Sequence, residues 1–241
     1  MHRTRTDIGR ARWVEQTNTA LVTKSIGKYI STMGFKDDGH RLFPEEAVFL
    51  VDADEIELVT ISEGGSDERV MDRIEVFGLL GKCKIDLKTY TVYSVLREQR
   101  FHVYRHSAYK TNPKEWKSLD PPRVFQNNST NLSSDDPKRV RRSEVEDGLA
   151  ISFDVYKPQA NFARSRLGKP DFSLVILSSE DTIPSVRQLR ALLATLEENV
   201  PLRLAVVGDS TVTFTEIESF SPKAEMESII SNQSAPKKAS E

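Results

Sequence analysis

The chain has 241 residues, of which 38% are hydrophobic and 29% charged, a balance that is ordinary for a protein with a buried core. Its 34 basic and 36 acidic side chains give a net charge of −2, which excludes a uniformly basic coat for nucleic acid but not a local basic face. The single cysteine, Cys83, excludes an internal disulfide and a zinc cluster built from cysteines. No apolar run approaches the roughly 18 residues of a membrane span, so no membrane partner is expected.

Residues 1–20 are polar and basic and lack the apolar stretch of a secretory signal. We expect these residues to be loosely ordered, and we expect the protein to lie in the cytosol or nucleus. Residues 21–35 place apolar side chains three and four apart, which favours a helical or turn-rich start. Pro44 suits the first position of a helix, and the two glutamates after it suit the positive end of the helix dipole. A helix is therefore predicted from residue 44 to about 51, followed by a strand over 54–61.

Two further helices and a strand are predicted before residue 110. Apolar side chains at helical spacing predict helices over about 68–80 and 87–99. Alternation of apolar and polar residues in FHVYRH predicts a strand over 101–106. Small helices followed by a strand are a winged-helix-like layout, so residues 1–110 are predicted to form a small helical domain of that kind.

The composition changes after residue 110. Residues 111–148 are rich in proline, asparagine, serine and charged side chains, and they carry too little apolar surface to form a core. We predict a flexible linker there. Its KRVRR run, residues 138–142, is either a nuclear import signal or a solvated run of charge.

An α/β pattern follows the predicted linker. Strands are predicted over 149–157 and 170–179, the second one apolar enough to be buried on both faces. A helix is predicted over 185–198, and two strands, 202–208 and 211–217, are separated by a turn short enough for a hairpin. The polar residues 219–241 are predicted to be a disordered tail. The fold class as a whole is predicted to be α+β.

Three catalytic or cofactor motifs can be set aside. Gly208-Asp209-Ser210 is similar to a GDS-type esterase motif, but no histidine follows it, and the same residues suit a tight turn. His102 and His106 would share one face of a strand, but a metal site needs a third ligand, and none is near in sequence, so no metal is expected. Residues 78–84 lack the first glycine and the final hydroxyl residue of a phosphate-binding loop, so no nucleotide cofactor is expected.

RNA contact is the remaining possibility that the residues themselves suggest. Basic side chains on a loop suit phosphate groups, and an aromatic ring can stack on a base. Two segments have that mixture, 157–170 with Phe162 and 102–110 with Tyr104. The alternative is that both are solvated segments, each with one buried aromatic ring. The predicted RNA-binding residues are Arg105, Lys157, Arg164, Arg166 and Lys169.

Three stretches of the sequence, in order along the chain, resemble one known family. Residues 41–58, RLFPEEAVFLVDADEIEL, combine a Pro-Glu-Glu-Ala helix with an apolar run and an acidic turn. Residues 90–106 combine a Tyr-x-Val-Tyr helix with an arginine-containing strand, and residues 151–177 with 200–217 hold the Phe-Asp-Val-Tyr strand and the final hairpin. Together they are similar to the tRNA-splicing endonuclease subunit 54 family. The resemblance implies that residues 149–218 form a nuclease-like domain of the tRNA-intron endonuclease type.

The resemblance also implies a function. The family's enzyme is a four-subunit nuclear assembly that excises introns from precursor tRNA, with two cutting and two structural subunits. The cutting subunits use a tyrosine, a histidine and a lysine to let the 2′-hydroxyl attack the neighbouring phosphate. Here only Tyr156 matches, because no histidine follows residue 106 and no lysine stands at 198–201. Tyr156 is thus at most a vestige of that site. A structural subunit that binds precursor tRNA and the other subunits is implied.

Assembly in this family uses the edges of the nuclease-like sheets, so the resemblance implies a role for the last strand. Asp209 stands where an acidic loop docks into a neighbouring subunit, and Val212 and Phe214 lie on the candidate edge strand. Asp209 also suits an ordinary turn. Two rival hypotheses remain, namely a winged-helix nuclear protein that binds nucleic acid without nuclease partners, and an active endonuclease subunit.

Overall fold

The computed structural model describes residues 8–61, 67–125, 149–159, 162–164, 167–209 and 211–217. A first sheet is built from strands β1 to β6 in the spatial order β3-β4-β2-β1-β5-β6. All of its neighbouring pairs are antiparallel except β1 with β5. The strands are Gly9–Val14, Thr19–Lys24, Phe35–Asp37, Gly39–Leu42, Ile56–Ile61 and Glu68–Val70.

The first of these strands correct the prediction for the N-terminal region. Residues 9–24 form a hairpin, in which the buried Ala11 and Trp13 alternate with the half-buried Arg10 and Arg12. That alternation with period two is the pattern of a half-buried strand. The helix expected in 21–35 is reduced to a single turn, α1, at Lys28–Ser31. The N-terminal region is therefore a six-stranded sheet with helices, and not a small helical domain.

Three longer helices follow the predicted positions closely. Helix α2 spans Pro44–Asp52, α3 spans Arg73–Lys82 and α4 spans Leu87–Glu98. Helix α3 begins five residues later than predicted, because residues 68–70 are taken up by β6 and Asp72 caps the helix by accepting from Glu75 N.

The second sheet combines strands from both halves of the chain. Its strands lie in the order β12-β11-β10-β9-β7. The short strand β8 lies outside this order and pairs with β10. Its strands are His102–Arg105, Val124–Phe125, Phe153–Tyr156, Phe172–Ser178, Leu202–Val207 and Val212–Ile217. Strand β7 pairs antiparallel with β9, with His102 opposite Tyr156, so the predicted domain boundary at residue 110 is not followed. A winged-helix layout would instead keep β7 with the N-terminal helices.

The first part of the predicted linker is ordered. Short 3-10 helices at Ala108–Lys110 and Pro113–Ser118 are followed by β8. Trp116 is 2% exposed, and its indole N–H donates to Ala108 O at 2.8 Å. One buried indole thus anchors a segment whose composition is typical of an unstructured linker. Residues 126–148 and 218–241, which include the basic run and the predicted tail, lie outside the described residues.

One continuous core joins the two sheets. It runs from Ala11 and Trp13 of β1, through α2 and α4, to Val207 of β11. Helix α4 contacts α2 on one side and β7, β10, β11 and β12 on the other. The opposite face of the second sheet is covered by α5, Val186–Leu193, which is shorter than predicted. The α+β class is confirmed, and among the described residues no helix is long and apolar enough to cross a membrane.

Candidate functional site

Arg105 does not belong to an RNA-binding surface. It is 7% exposed, and its guanidinium donates to both carboxylate oxygens of Glu45 at 2.8 and 2.9 Å. A third bond goes to Leu119 O at 3.1 Å, and the ring of Phe43 lies 3.9 Å from the guanidinium carbon. All faces of the group are occupied by protein, which leaves none for a phosphate. The prediction that Arg105 contacts RNA is therefore corrected, because β7 turns this side chain toward α2.

The loop after β9 carries the basic residues that remain accessible. The ammonium of Lys157 lies 3.9 Å from Asp171, and that of Lys169 lies 3.4 Å from Glu197. Both side chains are more than half exposed, at 66% and 59%. Ion pairs this open to water are weak and leave the lysines able to exchange partners. Both ammonium groups are therefore open to solvent.

Arg164 has a different position from the two lysines. Its guanidinium reaches Met33 O and the imidazole of His40, both in the N-terminal half of the chain. Burial and the neighbouring Arg164 lower the pKa of His40 to about 4, so its ring is neutral at pH 7. Arg164 thus ties the loop after β9 to the first sheet. Arg166 lies outside the described residues.

The peptide group that receives Arg164 is itself held in place. Gly34, the next residue, has φ +67°, and a Cβ there would lie 2.0 Å from Arg41 O. Its N–H donates to Glu46 Oε1 at 2.7 Å, and Phe43 N donates to the other oxygen at 2.8 Å. Burial, with Glu45 next to it, raises the pKa of Glu46 to about 7. The turn that anchors the loop therefore depends on a glycine and on a buried carboxylate.

Phe162 is half-buried and packs against other aromatic rings of the protein. Its ring stacks on that of His102 with centroids 3.7 Å apart, and it also contacts Tyr104 and Tyr156. Burial, with Arg97 nearby, lowers the pKa of His102 to about 4. The aromatic ring expected to stack on a base is thus part of a cluster that fastens the loop to the second sheet.

The position matching the family's tyrosine is also occupied by packing. Tyr156 is 5% exposed and its hydroxyl donates to Gly168 O at 2.9 Å, while burial strongly raises its pKa. The structure does bring a histidine to this tyrosine, since His102 is its cross-strand partner. The order of residues along the chain gave no sign of this. Because Phe162 covers the His102 ring, the two side chains do not form an open pair for proton transfer.

No local sequence pattern predicts the contact of a second histidine, His106, with Asp154. Asp154 is fully buried and accepts three hydrogen bonds, from Ser173 Oγ at 2.7 Å, Ser107 N at 2.8 Å and His106 Nδ1 at 3.0 Å. His106 and Asp154 are 48 residues apart, and only the pairing of β7 with β9 brings them together. Across the described residues, no three histidine, cysteine or acidic side chains are grouped closely enough to hold a metal.

Strand β12 ends the second sheet in the part of the chain that the structure describes, where it pairs with β11 alone. Val212 and Phe214 pack inward against the core, while Asp209 is exposed in the hairpin turn. The turn is closed by Gly208 N donating to Thr211 O at 2.9 Å. The hairpin is as predicted, and its outer side offers backbone groups to a further strand.

Two comparisons with known proteins bear on this architecture. Residues 1–60 match the family model described as "tRNA-splicing endonuclease subunit sen54 N-term". The chain is also 27% identical to the "Probable tRNA-splicing endonuclease subunit sen54" of Schizosaccharomyces pombe, over 79% of its own length. The predicted resemblance to the subunit 54 family is confirmed. The chain spans 62% of the length of that sen54 protein.

Proposed function

We propose that this chain is a structural, non-catalytic subunit of a nuclear tRNA-splicing endonuclease, which holds the cutting partner and positions precursor tRNA. The similarity to sen54 carries the proposal, because the family model matches residues 1–60 and the similarity to the Schizosaccharomyces pombe protein covers 79% of the chain. The second sheet supports it by presenting β12 to a partner. The nuclease-like character of that sheet is part of the proposal.

The non-catalytic part of the proposal rests on the residues around Tyr156. Its hydroxyl is engaged with Gly168 O, and the ring of Phe162 lies against both Tyr156 and His102. The segment before β11, where the family's lysine is expected, reads Glu198-Asn199-Val200-Pro201. Proton transfer to a ribose or phosphate needs groups within hydrogen-bond reach of the reacting atoms. Neither the tyrosine nor this histidine is open to such a substrate.

The experiment that tests the proposal is affinity purification of the tagged full-length chain from nuclear extract. The eluate is incubated with an intron-containing precursor tRNA and, separately, with the same tRNA lacking its intron. Release of the intron, together with a co-purifying nuclease subunit, is the expected result. An eluate without cleavage or a nuclease partner would overturn the proposal in favour of the winged-helix alternative. That alternative has less support, because α4 is buried between the two halves of the chain and is not free to enter a groove.

Exchanging Lys157 and Lys169 for glutamine should weaken binding of precursor tRNA and flatten its dependence on salt. Each phosphate contact that is lost lowers the slope of log K against log salt by about 0.7 to 0.9. We therefore expect the double variant to lose about 1.5 in slope, measured by fluorescence anisotropy at several salt concentrations. Lys84→Gln, an exposed lysine after α3, is the matched control and should leave the slope unchanged. An unaltered slope in the double variant would remove the loop from the RNA path.

Replacing Tyr156 with phenylalanine should leave cleavage by the assembled complex almost unchanged. The substitution removes only the hydroxyl that donates to Gly168 O, and the ring keeps its contacts with Tyr104 and Phe162. Single-turnover intron release by the purified complex measures the effect, and a thermal melt of the chain monitors the small loss of stability. A fall in cleavage rate of tenfold or more, without loss of assembly, would assign Tyr156 a catalytic role.

A further inference from the structure

A polar cleft lies on the second sheet, and it is lined neither by Tyr156 nor by residues of strand β12. Its volume is about 580 Å³, and it is bounded by the segment 118–123, the segment 149–152 before β9 and the end of α5. We call it the His106 cleft, because the imidazole of His106 is one of its walls. The other polar side chains that line it include Arg123, Ser107, Ser118 and Asp120.

The imidazole of His106 is fixed in orientation by a buried acid. Its Nδ1 is bound to Asp154, whose carboxylate is also held by Ser173 Oγ and Ser107 N. The Asp154 carboxylate therefore fixes the orientation of the imidazole ring. Carboxylates orient histidines in the same way where the histidine binds a ligand or transfers a proton. His106 is 29% exposed, and its other nitrogen, Nε2, has no hydrogen-bond partner within the described ranges. That nitrogen is left available to a ligand in the cleft.

Arg123 supplies a charge to the cleft. It is exposed, and in the described part of the chain no carboxylate pairs with its guanidinium. Its backbone is nevertheless held firmly, because Ser152 Oγ donates to Arg123 O at 2.6 Å and the next residue begins β8. An exposed guanidinium next to an ordered strand is suited to bind a phosphate group with two parallel hydrogen bonds.

Two lysines outside the cleft share one acidic partner. Glu197 lies 3.4 Å from the ammonium of Lys169 and 3.7 Å from that of Lys110, four residues beyond His106. Lys169 of the loop after β9 and Lys110 are therefore close to each other. We infer that the His106 cleft binds one nucleotide of an RNA strand, with the phosphate on Arg123 and the ribose hydroxyl on His106 Nε2. The inference rests on the proposed function, since the RNA in question is the substrate of the assembly.

The chemistry favours RNA over DNA at this position. A ribose 2′-hydroxyl can both donate and accept, so it bonds to Nε2 whichever hydrogen-bonding role that nitrogen has. Hydroxyls of Ser107 and Ser118 line the same cleft and can bond to sugar or phosphate oxygens. Asp120 lines the cleft as well and opposes an anion there. Removing the charge of Asp120 should strengthen RNA binding, whereas removing the charge of Arg123 should weaken it.

The experiment measures binding of a fluorescein-labelled ten-nucleotide RNA, and of the DNA with the same sequence, to the full-length chain. Arg123→Gln is expected to weaken RNA binding about five- to tenfold and to lower the salt slope by about 0.7. His106→Gln should reduce the preference for RNA over DNA by about threefold or more, while Asp120→Asn should tighten binding. Arg100→Gln, an exposed arginine at the end of α4, is the control and should change none of these values.

The outcomes separate this inference from the proposed function. Unchanged affinity, slope and RNA preference in the Arg123 and His106 variants, with circular dichroism confirming that both are folded, would overturn the cleft as an RNA site. Recovery of intron-releasing activity with the same tagged variants tests the assembly independently. If the complex forms and cleaves while the cleft variants bind RNA normally, only the cleft proposal fails. If the cleft variants bind less RNA but no nuclease partner is recovered, only the proposed function fails.

Discussion

Replacing Glu216 with proline should abolish recovery of the nuclease partner while leaving the chain folded. Strand β12 pairs with β11 in the register Val207 with Val212 through Leu202 with Ile217. Gly208 and Thr211 form the hydrogen-bonded pair that closes the turn. Along two antiparallel strands, hydrogen-bonded and non-hydrogen-bonded residue pairs alternate, so the first, third and fifth pairs after the turn are not hydrogen-bonded. The N–H groups of Val212, Phe214 and Glu216 therefore point away from β11, toward a strand added by a partner.

Proline at position 216 removes one of these outward N–H groups without breaking a bond to β11, and proline is tolerated on an edge strand in that orientation. Glu216→Ala is the matched control. Both substitutions lose the ion pair with Arg203, whose Nε and Nη2 lie 2.9 and 2.8 Å from Glu216 Oε2, but only proline loses the N–H. Because strand addition depends on backbone hydrogen bonds, the proline variant should bind the partner at least tenfold more weakly than the alanine variant.

The measurement is quantitative pull-down of intron-releasing activity by equal amounts of the tagged variants, alongside thermal melts. Equal recovery by the proline and alanine variants, with both folded, would show that the partner does not extend the sheet at β12. Equal loss by both would assign the effect to the carboxylate of Glu216 and not to the strand edge.

Replacing Arg105 with methionine should destabilise the chain by about 3–5 kcal/mol, which is the usual cost of leaving one member of a buried ion pair without its partner. The carboxylate of Glu45 is 2% exposed and receives two bonds from Arg105, so methionine would leave a buried charge unpaired. The same change frees Leu119 O, which borders the His106 cleft. Urea unfolding followed by circular dichroism measures the loss.

Two further variants make this prediction decisive. Replacing both Arg105 and Glu45 with methionine should be less destabilising than replacing Arg105 alone, because no unpaired charge remains in the core. Arg69→Met, at the exposed pair with Glu75, should leave the urea midpoint nearly unchanged, since exposed ion pairs contribute little. If the double variant is as unstable as the single one, packing and not the unpaired charge accounts for the loss.

The sequence predicted those elements whose cause is local. Pro44 and the two glutamates after it begin α2, the apolar spacing of 87–98 gives α4, and the short turn at 208–211 joins two strands. The resemblance to subunit 54 was likewise visible in short stretches of sequence, and the comparisons confirm it. Each of these depends on residues within about one or two helical turns of one another, where spacing alone sets the pattern.

The predictions that failed depend on residues far apart in the chain. Arg105 was assigned to RNA because residues 102–110 mix basic and aromatic side chains, yet it pairs in the core with Glu45, which lies 60 residues earlier. Residues 111–125 were assigned to a linker on composition, yet Trp116 anchors them beside β7. The hairpin at residues 9–24 was missed because its surface positions are arginines and its buried ones few.

The sequence by itself determined the α+β class, the main helices, the final hairpin and the family resemblance. Only the tertiary structure decided that β7 belongs with β9, which places His102 opposite Tyr156, buries Arg105 and turns His106 onto Asp154. The physical reason is that strand pairing is specified by hydrogen bonds and burial between distant segments, and no local pattern records which strand a given strand will meet. The RNA contact proposed for His106 depends on that pairing.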